Sequence, residues 1–332
     1  MTIRVGLIGA GVMGADHASI LTAAVGGSTV AAVSDADSDR AKAVADVSGA
    51  TVIDDPLDLI IDERVDAVLI ASPDPTHKPL TLACLATGKP VLCEKPLAET
   101  AAECREIVDA EVALGQQLIQ VGFMRRFDPG YVAMKERYAT DDLGTALILH
   151  CIHRNAAALS YTNSETLFAN SAVHEFDISR WLLEDDIARV SVVTPRSSAL
   201  ANMVDPQIIL CHMAGGAIVD AEVFMNAQYG YDVDAELVCE RGTISLRPPA
   251  DIRLKQEGIA GVGRSADWRP RFAAAYRQEL QAWIGAIREG TTVGASAWDG
   301  FAATAVAEAG LEALKTGAPA DVRMGDRPGL YA

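Results

Sequence analysis

The segment Gly9-Ala10-Gly11-Val12-Met13-Gly14 constrains this chain more than any other. It follows a short apolar run, Ile3 to Ile8, and opens onto helical spacing from Met13 to Val25. Glycines at these places between a strand and a helix have separate uses. Gly9 permits a tight turn, Gly11 lets a ligand approach the backbone, and Gly14 lets helix and strand pack closely. The N-terminus of the following helix offers free N–H groups and a partial positive charge, which favour phosphates. Residues Gly9, Ala10, Gly11, Val12, Met13 and Gly14 therefore form a candidate dinucleotide turn. Asp35 ends a second apolar run, Thr29 to Ser34, at the spacing expected of a ribose-binding acid. A carboxylate there accepts a 2′-hydroxyl and repels a 2′-phosphate, so the cofactor expected is NAD; Asp37 and Asp39 add to the repulsion. Asp is also a favoured helix cap, which is the competing reading of Asp35.

The rest of the first third alternates strands with helices. Strand-like runs at Ala67–Ser72, Pro90–Cys93 and Gln117–Gly122 interleave with helical patterns at Asp37–Val47, His77–Thr87 and Thr100–Leu114. This order implies βαβ units and a parallel sheet. After Phe123 the pattern changes. A helix at Pro129–Tyr138, a strand at Ala146–Arg154 and a helix at Val173–Leu183 lead into consecutive strands: Ala188–Val193, Gln207–Met213, Ala217–Phe224, Asp234–Cys239 and Gly242–Leu246. Helices at Phe272–Glu289 and Trp298–Lys315 follow. The fold class expected is α/β, an N-terminal Rossmann parallel sheet plus a C-terminal α+β domain with a mostly antiparallel open sheet. A chain of 332 residues suits two domains. They are placed at 1–122, binding NAD, and 123–332, binding substrate and forming oligomers. A sheet with one uncovered apolar face usually finds a partner, which points to a homo-oligomer.

A net charge of −17 disfavours nucleic acid and anionic membrane as partners. The apolar runs are strand-length, well short of a membrane helix, and the first residues enter a strand with no basic region and cleavage site. Cys84, Cys93, Cys104, Cys151, Cys211 and Cys239 form no CxxC pair and read as reduced core residues of a cytoplasmic protein.

Two clusters carry candidate chemistry. Glu94-Lys95-Pro96 directly follows the fifth strand, where open parallel sheets bind their ligands. A lysine so placed exchanges a proton with a carbonyl or hydroxyl oxygen, helped by burial and a nearby nicotinamide cation. A cis bond before Pro96 would fix its direction. The alternative is a surface Glu–Lys pair ahead of a proline. The second cluster is Asn170-Ser171-Ala172-Val173-His174-Glu175-Phe176-Asp177. Asn170 and His174, four apart, share a helix face, and His174 and Asp177 are three apart. A histidine held by a neighbour can bind a hydroxyl and take its proton; the alternative is a satisfied helix histidine. No ligand spacing such as HExxH is present, so no metal is expected; His174 with Asp177, or with His150 and His153, is the competing and weaker reading.

Together these segments, with Ala71-Ser72-Pro73-Asp74-Pro75-Thr76-His77 and Gly122-Phe123-Met124-Arg125-Arg126-Phe127-Asp128, resemble the Gfo/Idh/MocA oxidoreductases over nearly the whole chain. Arg125-Arg126-Phe127-Asp128, His153-Arg154-Asn155 and Gln228-Tyr229-Gly230-Tyr231-Asp232 make the inositol 2-dehydrogenases the nearest branch. The resemblance implies a tetramer and NAD-dependent oxidation of a secondary ring hydroxyl of a cyclitol or sugar. The same site would serve a keto-sugar reductase, and a non-catalytic NAD or sugar sensor is a more distant reading. The implied catalytic set is Lys95, His174 and the residue four before the histidine, normally an acid and here Asn170. Asparagine cannot carry charge, which favours a cyclitol or sugar other than myo-inositol. Arg125, Asn155 and Tyr231 are similar to substrate-contacting positions. Ser72, Pro73, His77, Glu94 and Lys95 are similar to residues around the cofactor. His17 reads as helix packing or a cap partner.

Overall fold

The computed structural model describes residues 2–158, 162–247, 253–256 and 258–332. In chain order it opens with β1 (Ile3–Ile8), α1 (Val12–Ala23), β2 (Ser28–Ser34), α2 (Ser38–Ser48), β3 (Thr51–Val52), α3 (Pro56–Ile61), β4 (Ala67–Ile70), α4 (His77–Thr87), β5 (Val91–Glu94), α5 (Ala101–Leu114) and β6 (Ile119–Gly122). There follow α6 (Pro129–Tyr138), β7 (Ala146–Arg154), α7 (Val173–Leu183), β8 (Ile187–Val193), β9 (Gln207–Met213), β10 (Ile218–Phe224), β11 (Asp232–Cys239), β12 (Gly242–Ser245), β13 (Arg253–Gln256) and β14 (Ile259–Val262). The last elements are α8 (Trp268–Glu289), α9 (Ala297–Thr316) and β15 (Ala320–Asp321). The chain divides into two compact units. One is Met1–Phe127 with Ala275–Thr304 and Met324–Ala332; the other is Asp128–Ala274 with Ala305–Arg323.

The first unit holds a parallel sheet in the order β3-β2-β1-β4-β5-β6. Its central strands β4 and β5 are buried on both faces: Ala67 to Ile70 and Val91 to Cys93 are wholly inaccessible. That explains why they read as continuous apolar runs rather than alternating ones. Side chains of α1 and β2 pack with Leu280, Trp283 and Ile284 of α8 in one cluster. The strand order runs in opposite directions from β1 and from β4, so the ligand crevice lies beyond the carboxyl ends of these two strands. Helix caps are local: Asp37 accepts from Asp39 N and Arg40 N to start α2, and Thr100 accepts from Glu103 N to start α5.

The second unit holds a mixed sheet in the order β12-β11-β7-β10-β9-β8-β15. Within this sheet, among its described strands, only β7 and β10 pair in parallel; the remaining pairs are antiparallel. Leu149, Cys151, Val219, Ala221, Ile209, Cys211, Ala235 and Leu237 point to one face, which is covered by Tyr131, Met134, Phe168, Phe176 and Val306. Ile148, Ile152, Ile208, Leu210 and Phe224 alternate to the opposite, partly exposed face.

A π-helical turn, Phe168–Ala172, feeds directly into α7. Asn170 therefore sits in a widened turn rather than in the α-helix expected to carry it with His174. Phe168 closes on Gly310 of α9, where an added Cβ would meet its ring carbons at 2.6 Å. Gly310→Ala should cost about 1–2 kcal/mol net, because overpacking exceeds the gain in helix propensity. Thermal unfolding measures it, and an unchanged or raised Tm would refute the close packing.

Candidate active site

The glycine turn has the shape a pyrophosphate needs. Gly9 has φ +96°, and an added Cβ would lie 2.5 Å from the Ala71 carbonyl and Ser72 N, so the ends of β1 and β4 touch through backbone alone. A Cβ on Gly14 would strike Gly9 O at 1.8 Å. One on Gly11 would meet nothing within 4 Å, which leaves open space over the start of α1. That helix has no side-chain cap and no acid in its first turn, so its N-terminal N–H groups face an anion site without competition. Val12 is exposed and Met13 half-buried beside it. The Ala10 N–H is turned elsewhere: it donates to Asp35 Oδ2 at 2.6 Å.

Asp35 is not the helix cap, since Asp37 fills that place. Its second oxygen accepts from Asp37 N and from the Arg40 guanidinium, both at 2.8 Å. Burial opposes the charge, yet these donors hold the carboxyl below its ordinary pKa. A carboxylate fixed beside the glycine turn fits the ribose end of NAD.

Lys95 lies at the carboxyl end of β5, and the Lys95–Pro96 bond is cis. Glu94 orders this turn from below. It is buried, its Oε1 lies 2.7 Å from His17 Nε2, and its Oε2 accepts from Lys95 N at 3.2 Å. Burial works against the Glu94 charge, but the His17 bond and the nearby cations lower its pKa overall. Gly122 is needed there, because a Cβ would sit 3.0 Å from the Glu94 carboxylate. Ser72 Oγ bonds Thr76 Oγ1 at 2.6 Å, and Thr76 Oγ1 in turn donates to Pro73 O at 2.7 Å. These bonds fix the loop after β4. His77 is buried between that loop and Pro96.

The second unit assembles another set. His153 ends β7, His174 lies in the first turn of α7, and Tyr231 immediately precedes β11. The His153 ring is 6.4 Å from that of His174 and 5.9 Å, edge to face, from Tyr231, which packs on Phe272. Glu175, buried, holds His153 Nδ1 at 3.0 Å. Asn155 is fixed through its backbone to Phe224 O and Ala227 N, and its buried Oδ1 has no hydrogen-bond partner among the described residues. An acceptor held this way suits a ligand hydroxyl. His150 points to the opposite face of β7 and pairs with Asp220, so His150 and His153 cannot share an ion. Asp177 is fully buried. Arg125 is 1% exposed within the turn Met124–Phe127, and its neighbour Arg126 is paired with Asp299 at 3.2 Å.

Sequence reasoning missed His17 and Glu175. His17 and Glu94 are 77 residues apart, and a lone histidine on a helix gives no sign of a distant acid. Glu175 sits in the cluster already singled out, but its partner His153 comes from β7.

A family model described as the oxidoreductase family's NAD-binding Rossmann fold matches residues 3–123, and its C-terminal alpha/beta domain matches 160–322; both bear the name Gfo/Idh/MocA. The chain is 54% identical to a Saccharopolyspora erythraea protein named inositol 2-dehydrogenase 1, covering all of this chain and 99% of that one. It is 43% identical to the Klebsiella pneumoniae inositol 2-dehydrogenase, with the same coverage. The crystal structure of myo-inositol dehydrogenase from Lactobacillus casei, in complex with NAD(H) and myo-inositol, superposes with a TM-score of 0.97 at 33% identity and full coverage of both chains. No helix among the described residues is long and apolar enough to cross a membrane.

Asp35→Ser should weaken NAD binding about 10-fold or more, the worth of a charge-assisted hydrogen bond. It should also release Arg40 to meet a 2′-phosphate, so that NADP becomes a usable cofactor. Steady-state kinetics with both cofactors tests this, and an unchanged NAD/NADP ratio would contradict it.

Proposed function

The chain belongs to the Gfo/Idh/MocA oxidoreductase family, and on that premise we infer that it oxidises a secondary ring hydroxyl of a cyclitol or sugar with NAD. What carries the reading is full-length likeness to inositol 2-dehydrogenases in a chain whose glycine turn is open for a pyrophosphate. NAD supplies the acceptor for the hydride. The protein's own residues supply the rest.

In this reading Gly9, Gly11 and Gly14 seat the pyrophosphate and Asp35 binds the ribose. Lys95 and His174 both serve the reacting oxygen, and Lys95 Nζ takes its proton. The reason for choosing Lys95 is Asn170. An amide can hydrogen-bond a neighbouring imidazole or a substrate hydroxyl, but it gives a histidinium no counter-charge. Arg125, Asn155 and Tyr231 bind the remaining hydroxyls. The unpartnered Oδ1 of Asn155 and the ring packing of Tyr231 on His153 support this. We assign residues 1–122 to NAD binding and 123–332 to substrate and self-association. The open face bearing Ile148, Ile152, Ile208, Leu210 and Phe224 supports a homo-oligomer, for which we propose a tetramer. Six free, buried cysteines support a reducing compartment, the cytoplasm.

Two substitutions test the mechanism. Lys95→Ala should lower kcat by about 10²- to 10⁴-fold, the usual worth of a general acid–base group, while the Kd for NAD stays within about 3-fold. Unchanged turnover would remove Lys95 from the chemistry. Asn170→Asp restores an ionisable group and should alter the ratio of kcat/KM between myo-inositol and other cyclitols by about 10-fold or more. A panel of initial rates reads this, and an unaltered ratio would show that the residue does not set preference.

A further inference from the structure

His77 opens α4, one residue past the short helical turn Asp74–Thr76, and its side chain is 1% exposed. Its Nδ1 lies 2.6 Å from Pro96 O and its Nε2 lies 2.8 Å from Ser72 O. A peptide carbonyl oxygen only accepts. A neutral imidazole has one N–H and one bare nitrogen. Whichever tautomer a neutral His77 adopted, one lone pair would face one carbonyl lone pair, in a place closed to water. That arrangement loses a hydrogen bond and leaves two buried acceptors opposed. Only the doubly protonated ring satisfies both contacts.

We propose that His77 is a standing imidazolium whose two N–H groups bolt the loop after β4 to the Lys95–Pro96 turn after β5, and that it is a positioning residue for Lys95. Both ring nitrogens are committed to protein carbonyls, which leaves neither to the nicotinamide. The two loops it joins are the ones ordered from within by Ser72–Thr76 and by Glu94–Lys95. The ring's surroundings agree with the charge. Burial works against it, while the Cys93 sulfur and the Pro96 and Ser72 carbonyls raise the pKa above its ordinary value. Cys93 at the end of β5 is the titratable group against the ring. Of the charges close by in sequence, Glu94 is turned to His17 and Lys78 is paired with Glu106 and Glu103; Asp74 lies in the preceding turn and Lys95 in the turn that His77 braces.

The positioning role rests on Lys95 being the proton acceptor; the charge state does not, and the two are read separately. Protein labelled with ¹⁵N-histidine and saturated with NAD gives the protonation state directly, with the His77 signals identified by their loss in His77→Phe. Both ring nitrogens should carry protons from about pH 6 to about pH 9, where an ordinary histidine would have titrated. A bare-nitrogen signal, or titration near the ordinary value, overturns the imidazolium. His77→Phe keeps a ring of similar size and removes both donors. Its kcat should fall about 10- to 100-fold, as for a misplaced catalytic group, with the Kd for NAD changed by less than about 3-fold. His77→Gln, which retains a donor toward one carbonyl, should recover part of the loss and serves if the phenylalanine variant does not fold. Unchanged kcat in either folded variant, or a loss confined to NAD affinity, overturns the positioning role. Should Lys95→Ala prove fully active while both His77 nitrogens remain protonated, the mechanism fails and the charged clamp stands.

Discussion

The buried hydrogen bond between His17 and Glu94 joins the two parts of the cofactor-binding unit that must act together. His17 is carried by α1, the helix that follows the glycine turn, and Glu94 ends β5 and holds the backbone of Lys95. Both side chains are closed to solvent. Losing one partner would leave the other unpaired in the interior, at a cost of about 3–5 kcal/mol. The folded Glu94 pKa is depressed, so the pair stabilises the fold above the ordinary carboxylate range and loses that contribution as pH falls through the folded value. Gly122 belongs to the same device, since any larger residue would press on the carboxylate. The helix after the glycine turn and the Lys95–Pro96 turn are thereby kept in one rigid frame by three residues on α1, β5 and β6.

The second unit uses the same logic with different parts. Glu175 fixes one nitrogen of His153, and Tyr231 presents its edge to that ring, so the end of β7, the start of α7 and the residue before β11 are held together by one histidine. A carboxylate at one imidazole nitrogen sets the tautomer and the ring direction. Polyol recognition needs such rigidity, because each hydroxyl both donates and accepts and only fixed partners distinguish one epimer from another. Asn155 is anchored in the same way, through its own backbone at both N–H and C=O.

Much of this was legible in the chain itself, for identifiable reasons. The parallel strands are short runs of buried residues between glycine and proline punctuation, and α7 fell on Val173–Leu183 as the periodicity implied. The glycine turn is written in consecutive residues and follows a strand, so both its place and its geometry could be read. β3 and α3 went unread because a two-residue strand and a six-residue helix are too short to show a period. The β13–β14 hairpin was unread too, since its strands mix glycine with charged residues. The π-helical turn at Phe168 leaves no pattern distinct from an α-helix. The site contacts that escaped, Glu94 with His17 and Pro96 with His77, join residues far apart in sequence through one side chain each. Periodicity carries no information about such pairs. The resemblance to a known family supplied roles for residues but not these partners.

Asn170 shows why the partners matter more than the roll of site residues. Asparagine and aspartate have the same shape, so the widened turn Phe168–Ala172 accommodates either. The difference is electrical. An amide beside an imidazole stabilises the neutral ring as well as the charged one, whereas a carboxylate favours the charged ring strongly in a dry site. In the mechanism proposed above, proton uptake by His174 gains little from the amide, and the burden of the reaction passes to the lysine side. That side is braced for it: Glu94 holds the lysine's own N–H, and His77 holds the carbonyl of the residue that follows. His17, acting through Glu94, and His77 thus both bear on the Lys95–Pro96 turn.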